Sequence, residues 1–544
     1  MRSRRIIGGL LAAVMVVSMV GSVSAAGIKD VKVEKEAKNV ILLVPDGMSM
    51  GGVTLARWYN GGGELNLDSM ASGLVRTYSS DAPIADSAPA GTAMATGYKS
   101  HTGFVGVLPD ENTMPGMKPL AQADKRKPVT NILEAAQLKG KATGVIATSE
   151  IMHATPADFT AHDPSRKNYD SLSEQQVYQE IDVVIGAGSK YFGSDVRGDK
   201  EDLISVLKSK YQYVTTPQEF NKVTSGKLWA MFAPVDAAYD FDRDPEKEPS
   251  ISQMTKKAID LLSQDKDGFF LMVEGSKIDW AAHANDPVGL ISDILAFDEA
   301  VGVALDYAKA DGNTLVISAT DHGNSGITIG NESTDNTYDK TPLTSFIDPL
   351  KKAKSTGEGV EKRFNADRSN IAEVMASYYG ISDLTAEEIK QIKDAEAGSM
   401  NYTVGPMLAK RANVGFTTNG HTGEDVVLYT YAPEGVDLLT GTVENTDIAV
   451  YMEKAMGLDL SAASEKLFVD AKTAFEAKGA AVVFDNKTDA NNPVLVVKKG
   501  GKEIKMPVNK NIAYVDGSPV ALDGVVVYNG ISVYVPQAAV ELLQ

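Results

Sequence analysis

Apolar residues along the chain gather in short unbroken runs rather than in alternation. "NVILLV" (39 to 44), "ATGVIAT" (142 to 148), "IDVVIGAG" (181 to 188), "GFFLMVEG" (268 to 275), "NTLVISAT" (313 to 320) and "DVVLYTYA" (425 to 432) are brief and punctuated by Gly, Pro or Asp. A strand with one wet face alternates apolar and polar positions, so runs apolar at successive positions predict strands covered on both faces. Between them lie helical patterns: "PVTNILEAAQLKGK" from 128, "SISQMTKKAIDLLSQ" (250 to 264) and "DILAFDEAVGVALDYAKADG" (293 to 312). Strand, helix, strand order predicts an α/β fold, a large mostly parallel sheet flanked by helices on both faces.

Two stretches depart from this rhythm. Residues 331 to 420 are longer than a connection needs and hold their own helix signal, "TAEEIKQI", with Thr385 and Glu388 spaced as a capping box. They read as an inserted subdomain within an α/β domain spanning 27 to 465. From 480 to 544 short Val-rich runs alternate with Gly, Asn, Asp and Pro turns, which predicts a small β-rich module; it contains no histidine.

Composition narrows the function. The chain has 544 residues, 43% apolar and 23% charged, and after the first thirty residues no apolar run reaches the 18 or so that a membrane span needs. The start, "MRSRRIIGGLLAAVMVVSMVGSVSAAG", places three arginines before an apolar stretch and small residues near Ala25 and Ala26. That is a signal peptide over residues 1 to 26, so the mature chain is expected outside the cytoplasm: secreted, wall-associated or periplasmic. There is no cysteine, which removes disulfides, thiol nucleophiles and sulfur metal sites. A net charge of -19 argues against nucleic-acid binding and suits cations.

The chemistry is carried by a few histidines and acids. Only six histidines occur, so their neighbours are informative. The first strand runs into "VPDGM", placing Asp46 at its carboxyl end, and a later one into "TDHGN", placing Asp321 and His322 at the same edge, where ligands bind in open α/β sheets. A third ends in "VEGSKIDWAAHAND": Glu274 is followed by Asp279 and His283, four apart and on one face of a helical turn. "TTNGHTGED" adds His421 before the last core strand. Each residue alone reads as a turn, a cap or a satisfied core group. Gathered at strand ends, they read as two clusters of carboxylate and imidazole able to hold two metals, zinc for nitrogen and oxygen donors and magnesium for oxygen donors alone.

One further stretch, "PIADSAPAGTAMATG" (83 to 97), sets an Asp-Ser pair before small residues that bury little apolar area. "ADSAPAGTAMATG" resembles the nucleophile segment of alkaline phosphatases. "PDGM", "SEIMHATPADFTAHDPSRK", "VEGSKIDWAAHANDP", "ATDHGNSG" and "NGHTGED" resemble that family's metal and phosphate motifs in order, over about residues 38 to 460. The resemblance implies that Ser87 is the nucleophile, forming a phosphoserine from a phosphomonoester. It implies one zinc on Asp279, His283 and His421, a second on Asp46, Asp321 and His322, and magnesium on Asp46, Thr155 and Glu274. Arg166 in "PSRK" would clamp phosphate and Asp86 would orient it.

Two positions differ from the best-known bacterial members: His153 stands where they carry Asp, and Trp280 where they carry Lys. His153 is thus a candidate third-site ligand that lets zinc replace magnesium. The family also implies a homodimer, with 331 to 420 a candidate contact. The C-terminal module resembles the small domains at the amino end of some copper amine oxidases, which implies no copper chemistry here and points to a cell-surface contact. A sulfatase needs an Arg in a Cys/Ser-x-Pro-x-Arg setting, and Ser87 is followed by Ala88-Pro89-Ala90-Gly91. A related two-metal phosphodiesterase and a catalytically silent surface metal-binding protein remain as alternatives.

Overall fold

The unbroken apolar runs form the middle of a ten-stranded sheet. A computed structural model describes residues 28 to 543, so the expected signal peptide lies outside the described residues. The strands are β1 (Asn39–Val44), β2 (Ala71–Arg76), β3 (Ala142–Glu150), β4 (Val183–Ala187), β5 (Gln212–Val214), β6 (Leu228–Met231), β7 (Phe269–Glu274), β8 (Thr314–Ala319), β9 (Val426–Tyr431) and β10 (Gly441–Glu444). Their spatial order is β10, β2, β9, β8, β1, β7, β3, β4, β6, β5. Only β9 runs antiparallel to its neighbours; the other pairs are parallel.

Burial on both faces explains the runs. In β1, Ile41 and Leu43 enter one apolar layer while Val40, Leu42 and Val44 enter the other. In β7, Phe269, Leu271 and Val273 face the first layer and Phe270 and Met272 the second. Strands of period two therefore need an apolar residue at every position here.

The helices begin where their caps dictate. Ile132–Leu138 starts at Asn131 and Ile251–Leu262 at Ser250, each with a reciprocal bond from Glu134 or Gln253. The helix expected over 293 to 312 starts earlier, as Pro287–Asp311: Asp286 caps it and Pro287 takes the first turn, where its missing N–H costs nothing. Residues 331 to 420 supply short helices, among them Ala386–Asp394 with Thr385 and Glu388 in the expected box. A two-stranded ladder, Thr328–Ile329 with Val414–Gly415, closes their neck.

The C-terminal strands pair antiparallel, Ala481–Asp485 through Ser518–Ala521 in one five-stranded sheet. Their core also takes in Ala471 and Phe475 from the helix Ala471–Ala477, so the change of texture near 480 marks the first strand rather than the start of this core. Among the described residues no helix is long and apolar enough to cross a membrane.

Candidate metal centre and nucleophile

Four neighbouring parallel strands carry the site at their carboxyl ends. β1 leads into Asp46, β7 ends at Glu274, β8 leads into Asp321 and His322, and β3 is followed by the short helix Ala154–Asp158 with Thr155. After β7 the helix Lys277–His283 sets Asp279 and His283 one turn apart on one face. His421 returns from beyond the insertion and is fixed by a ladder of His421–Thr422 with Gly323–Asn324.

These residues form two groups. The ligand atoms of Asp279, His283 and His421 lie within 4.8 Å of one another, as do those of Asp46, Asp321 and His322. The second group is fully buried, whereas His283 and His421 are partly exposed, so solvent reaches the site from their side. Nδ1 of His283 lies 2.6 Å from the Asn419 carbonyl, Nδ1 of His421 2.8 Å from that of Ala85, and Nδ1 of His322 3.2 Å from that of Gly323. A carbonyl only accepts, so each Nδ1 carries a proton and donates it, which leaves each Nε2 facing the acids and open to a cation or a second proton.

That arrangement calls for cations. Nε2 of His283 and Nε2 of His421 face each other at 3.1 Å. Both carboxylate oxygens of Asp46, Oε1 of Glu274 and Oγ1 of Thr155 are buried with no hydrogen-bond partner. Orphaned buried oxygens are costly, and a bound cation satisfies them. Without one, protons take its place. Burial, with Asp321, Asp279 and Glu274 nearby, pushes Asp46 well up, and burial pushes Glu274 up to about 8. For His322 burial works downward but Asp321 outweighs it and holds the ring at about 9. Burial pushes Asp279 up, yet His283, His322 and His421 together hold it well below the carboxylate range. The donor chemistry fits zinc at the two nitrogen-containing groups and magnesium at the oxygen set of Asp46, Thr155 and Glu274.

Ser87 opens the helix Ser87–Thr96, every residue of which is buried. Its Oγ lies 3.2 Å from Nε2 of His322. Asp86 is the N-cap but makes no side-chain cap bond, because its carboxylate accepts from Nη1 of Arg166 instead. The first-turn N–H groups of Ser87 and Ala88 therefore keep no intrahelical partner and, with the helix dipole, favour an anion. The small residues answer a packing need: a Cβ on Gly91 would lie 2.2 Å from Oδ2 of Asp158 in the adjoining helix.

Arg166 and His153 form a pair. Nη2 of Arg166 donates to Nε2 of His153 at 3.0 Å, and the Arg166 main-chain N–H donates to the Gly103 carbonyl at 2.8 Å. Burial, with Arg166 adding to it, holds His153 down to about 3, so the ring is neutral and accepts. Trp280 meets this ring edge-on, with centroids 5.9 Å apart. His153 is in neither of the two ligand groups; its Nε2 accepts from the guanidinium and its Nδ1 is buried with no hydrogen-bond partner.

Two further residues, Asn324 and Asp158, stand beside the site. Asn324 donates from Nδ2 to Oδ1 of Asp279 at 2.6 Å, which aims that carboxylate. Asp158 is buried and accepts from Thr92 Oγ1 at 2.8 Å. Both lie inside the quoted motifs, but an Asn or Asp beside a strand or helix end reads as a turn or cap, so position in the motif was the only signal.

The chain resembles known proteins along most of its length. Residues 37–458 match the family model for alkaline phosphatase, and residues 453–542 that for the copper amine oxidase N-terminal domain. Alkaline phosphatase 4 of Bacillus subtilis (strain 168) is 37% identical over 433 residues, 76% of this chain and 87% of its own. A cold-active alkaline phosphatase from a psychrophilic Shewanella superposes with a TM-score of 0.66 at 29% identity, over 77% of this chain and 99% of that one. A His-to-Glu mutant of alkaline phosphatase TAB5, solved with Mg bound, gives a TM-score of 0.56 at 29% identity, over 78% of this chain and 99% of that one. With acids and imidazoles gathered at the strand ends around a helix-borne serine, and the matching family model covering residues 37–458, the chain belongs to the alkaline phosphatase family.

Proposed function

We propose that the mature chain is an exported phosphomonoesterase that passes through a phosphoserine on Ser87. The observation that carries this reading is the Ser87 hydroxyl, set at an open helix N-terminus 3.2 Å from His322 and beside the Asp86–Arg166 pair. Asp279, His283 and His421 would hold one zinc, Asp46, Asp321 and His322 the other, and Asp46, Thr155 and Glu274 magnesium. Bound there, the metals supply Lewis-acid charge that favours ionised serine and water and stabilises a departing alkoxide. Ser87 Oγ bonds to phosphorus as the ester oxygen leaves on the opposite side, and the serine proton ends on the released alcohol. Water then attacks the phosphoserine, which frees inorganic phosphate and restores the hydroxyl. Arg166, held by Asp86 and His153, offers its N–H groups to the phosphate oxygens. His153 steadies Arg166 through its Nε2. Because the grip is on phosphate, many leaving alcohols are accepted.

Purified mature chain, chelated and then given zinc, magnesium or both, is expected to hydrolyse p-nitrophenyl phosphate between pH 7 and 11. It should turn over the methyl diester slower by orders of magnitude. A diester rate equal to the monoester rate would favour the phosphodiesterase reading, and zinc binding with no turnover the silent binding protein. The proposed homodimer rests on exposed apolar side chains in the insertion, Tyr338, Leu343 and Tyr402. Light scattering after size exclusion is expected to give twice the chain mass; a monomer would contradict it.

A further inference from the structure

The C-terminal module is tied to the segment that carries Arg166. Lys510 Nζ lies 3.2 Å from Glu174 and 2.8 Å from Glu201, and Glu174 is buried within the helix Tyr169–Tyr178. Its neighbour Asn509 donates from Nδ2 to Glu174 Oε2 at 2.9 Å, and its Oδ1 accepts from Nε2 of Gln175 at 3.3 Å. Gln175 passes the contact on. Its Nε2 donates to the His162 carbonyl and its Oε1 accepts the His162 N–H, both at 2.9 Å. Phe468, where the chain enters the module, meets the His162 ring edge-on with centroids 4.6 Å apart.

His162 is thus held by the module along two routes. It is fully buried, and its ring also contacts the Gly106 carbonyl at 2.7 Å and Glu134 at 2.9 Å. The next residue, Asp163, accepts at Oδ1 from the Ser165 N–H at 2.9 Å and from Asn168 Nδ2 at 2.8 Å, which closes the loop around Arg166. Beside this loop a cleft of about 600 Å³ separates Pro164 and Lys167 from Asn509 and Tyr528, so close packing does not pin the loop on that side. What holds it is hydrogen bonding: the path through His162, the paired main-chain bonds between Asp163 and Val105 at 2.9 Å, and the Arg166 N–H bond to Gly103.

We propose that the C-terminal module positions Arg166 for phosphate capture, with Asn509 acting through Gln175 and His162 as a positioning residue. This rests on Arg166 being the phosphate-binding group. The test is Asn509→Gly in the full chain. Asn509 has φ +67°, a conformation glycine adopts without strain, so the variant loses the side chain and keeps the turn. KM for p-nitrophenyl phosphate and the inhibition constant for inorganic phosphate are expected to rise together about fivefold, the scale of one lost positioning hydrogen bond. The expected change in kcat is under about twofold, since the path touches neither Ser87 nor the ligand groups. Phe468→Leu, which keeps apolar packing but withdraws the ring edge from His162, is expected to show the same split. If both variants melt lower yet keep wild-type KM and phosphate inhibition, the module merely adds stability and the proposal is overturned. Arg166→Ala separates the premise: if it leaves KM and phosphate inhibition unchanged in an active enzyme, the role of Arg166 fails and the proposal falls with it.

Discussion

Replacing Ser87 by Ala is expected to lower phosphomonoester turnover by at least about 10⁴-fold, the scale of losing a catalytic nucleophile. Fold and metal content should hold. Ser87 is buried at the first position of a helix already made of small residues, so losing one hydroxyl leaves neither a large cavity nor an unpaired charge. The six residues of the two ligand groups are untouched. Steady-state rates on p-nitrophenyl phosphate beside metal analysis of the same preparation check this; turnover near wild type would refute the role of Ser87.

Metal removal is the second large effect. Chelation is expected to abolish hydrolysis and to lower the melting temperature by about 10 °C or more, as follows from losing ligands that bind only the folded chain. The loss should be larger at pH 9 than at pH 6. In the metal-free chain burial pushes Glu274 up to about 8, above the ordinary glutamate value of about 4.3. His322 stands at about 9, against about 6.5 for an ordinary histidine, because Asp321 outweighs the opposing effect of burial. In both cases the folded state keeps a proton that the unfolded state has released, so stability falls as pH rises. The window runs up to about 8 for Glu274 and from about 6.5 to about 9 for His322. Asp321, which His322 pulls down to about 2 against the push of burial, contributes stability that is lost only in acid and so does not change between pH 6 and 9. Melting curves with and without chelator at both pH values check the sign; an equal or smaller loss at pH 9 would contradict it.

The parts of this molecule differ in how plainly the sequence displays them, for physical reasons. β1, β3, β7 and β8 stand out because both faces are buried and polar residues would be unsatisfied there. β2, "ASGLVR", is half exposed, and β5 is only three residues long at the sheet edge, so neither shows a sustained run. The apolar spacing shows the helix from 293, six residues after its start at Pro287, where proline fits the first turn. At the site, Asp46, Asp321 and His322 are readable as polar residues ending apolar strands. Ser87 is less plain: its helix is buried all round and has no amphipathic stripe, so the run of small residues marks the stretch and only family resemblance gives the serine its role. Long-range pairings such as Arg166 with His153, or His162 with Gln175 and Phe468, depend on tertiary folding and leave no local trace. His153 shows this plainly, because nothing near it in the sequence announces that its Nε2 accepts from the Arg166 guanidinium.

The most direct test of the account is to find the phosphoryl group on the protein. The metal-loaded chain would be quenched in acid during turnover of p-nitrophenyl phosphate, digested and mapped by mass spectrometry. The account predicts phosphate on the peptide that carries Ser87 and none there in Ser87→Ala. Sustained turnover with no phosphorylated peptide, or with phosphate on another residue, would contradict it.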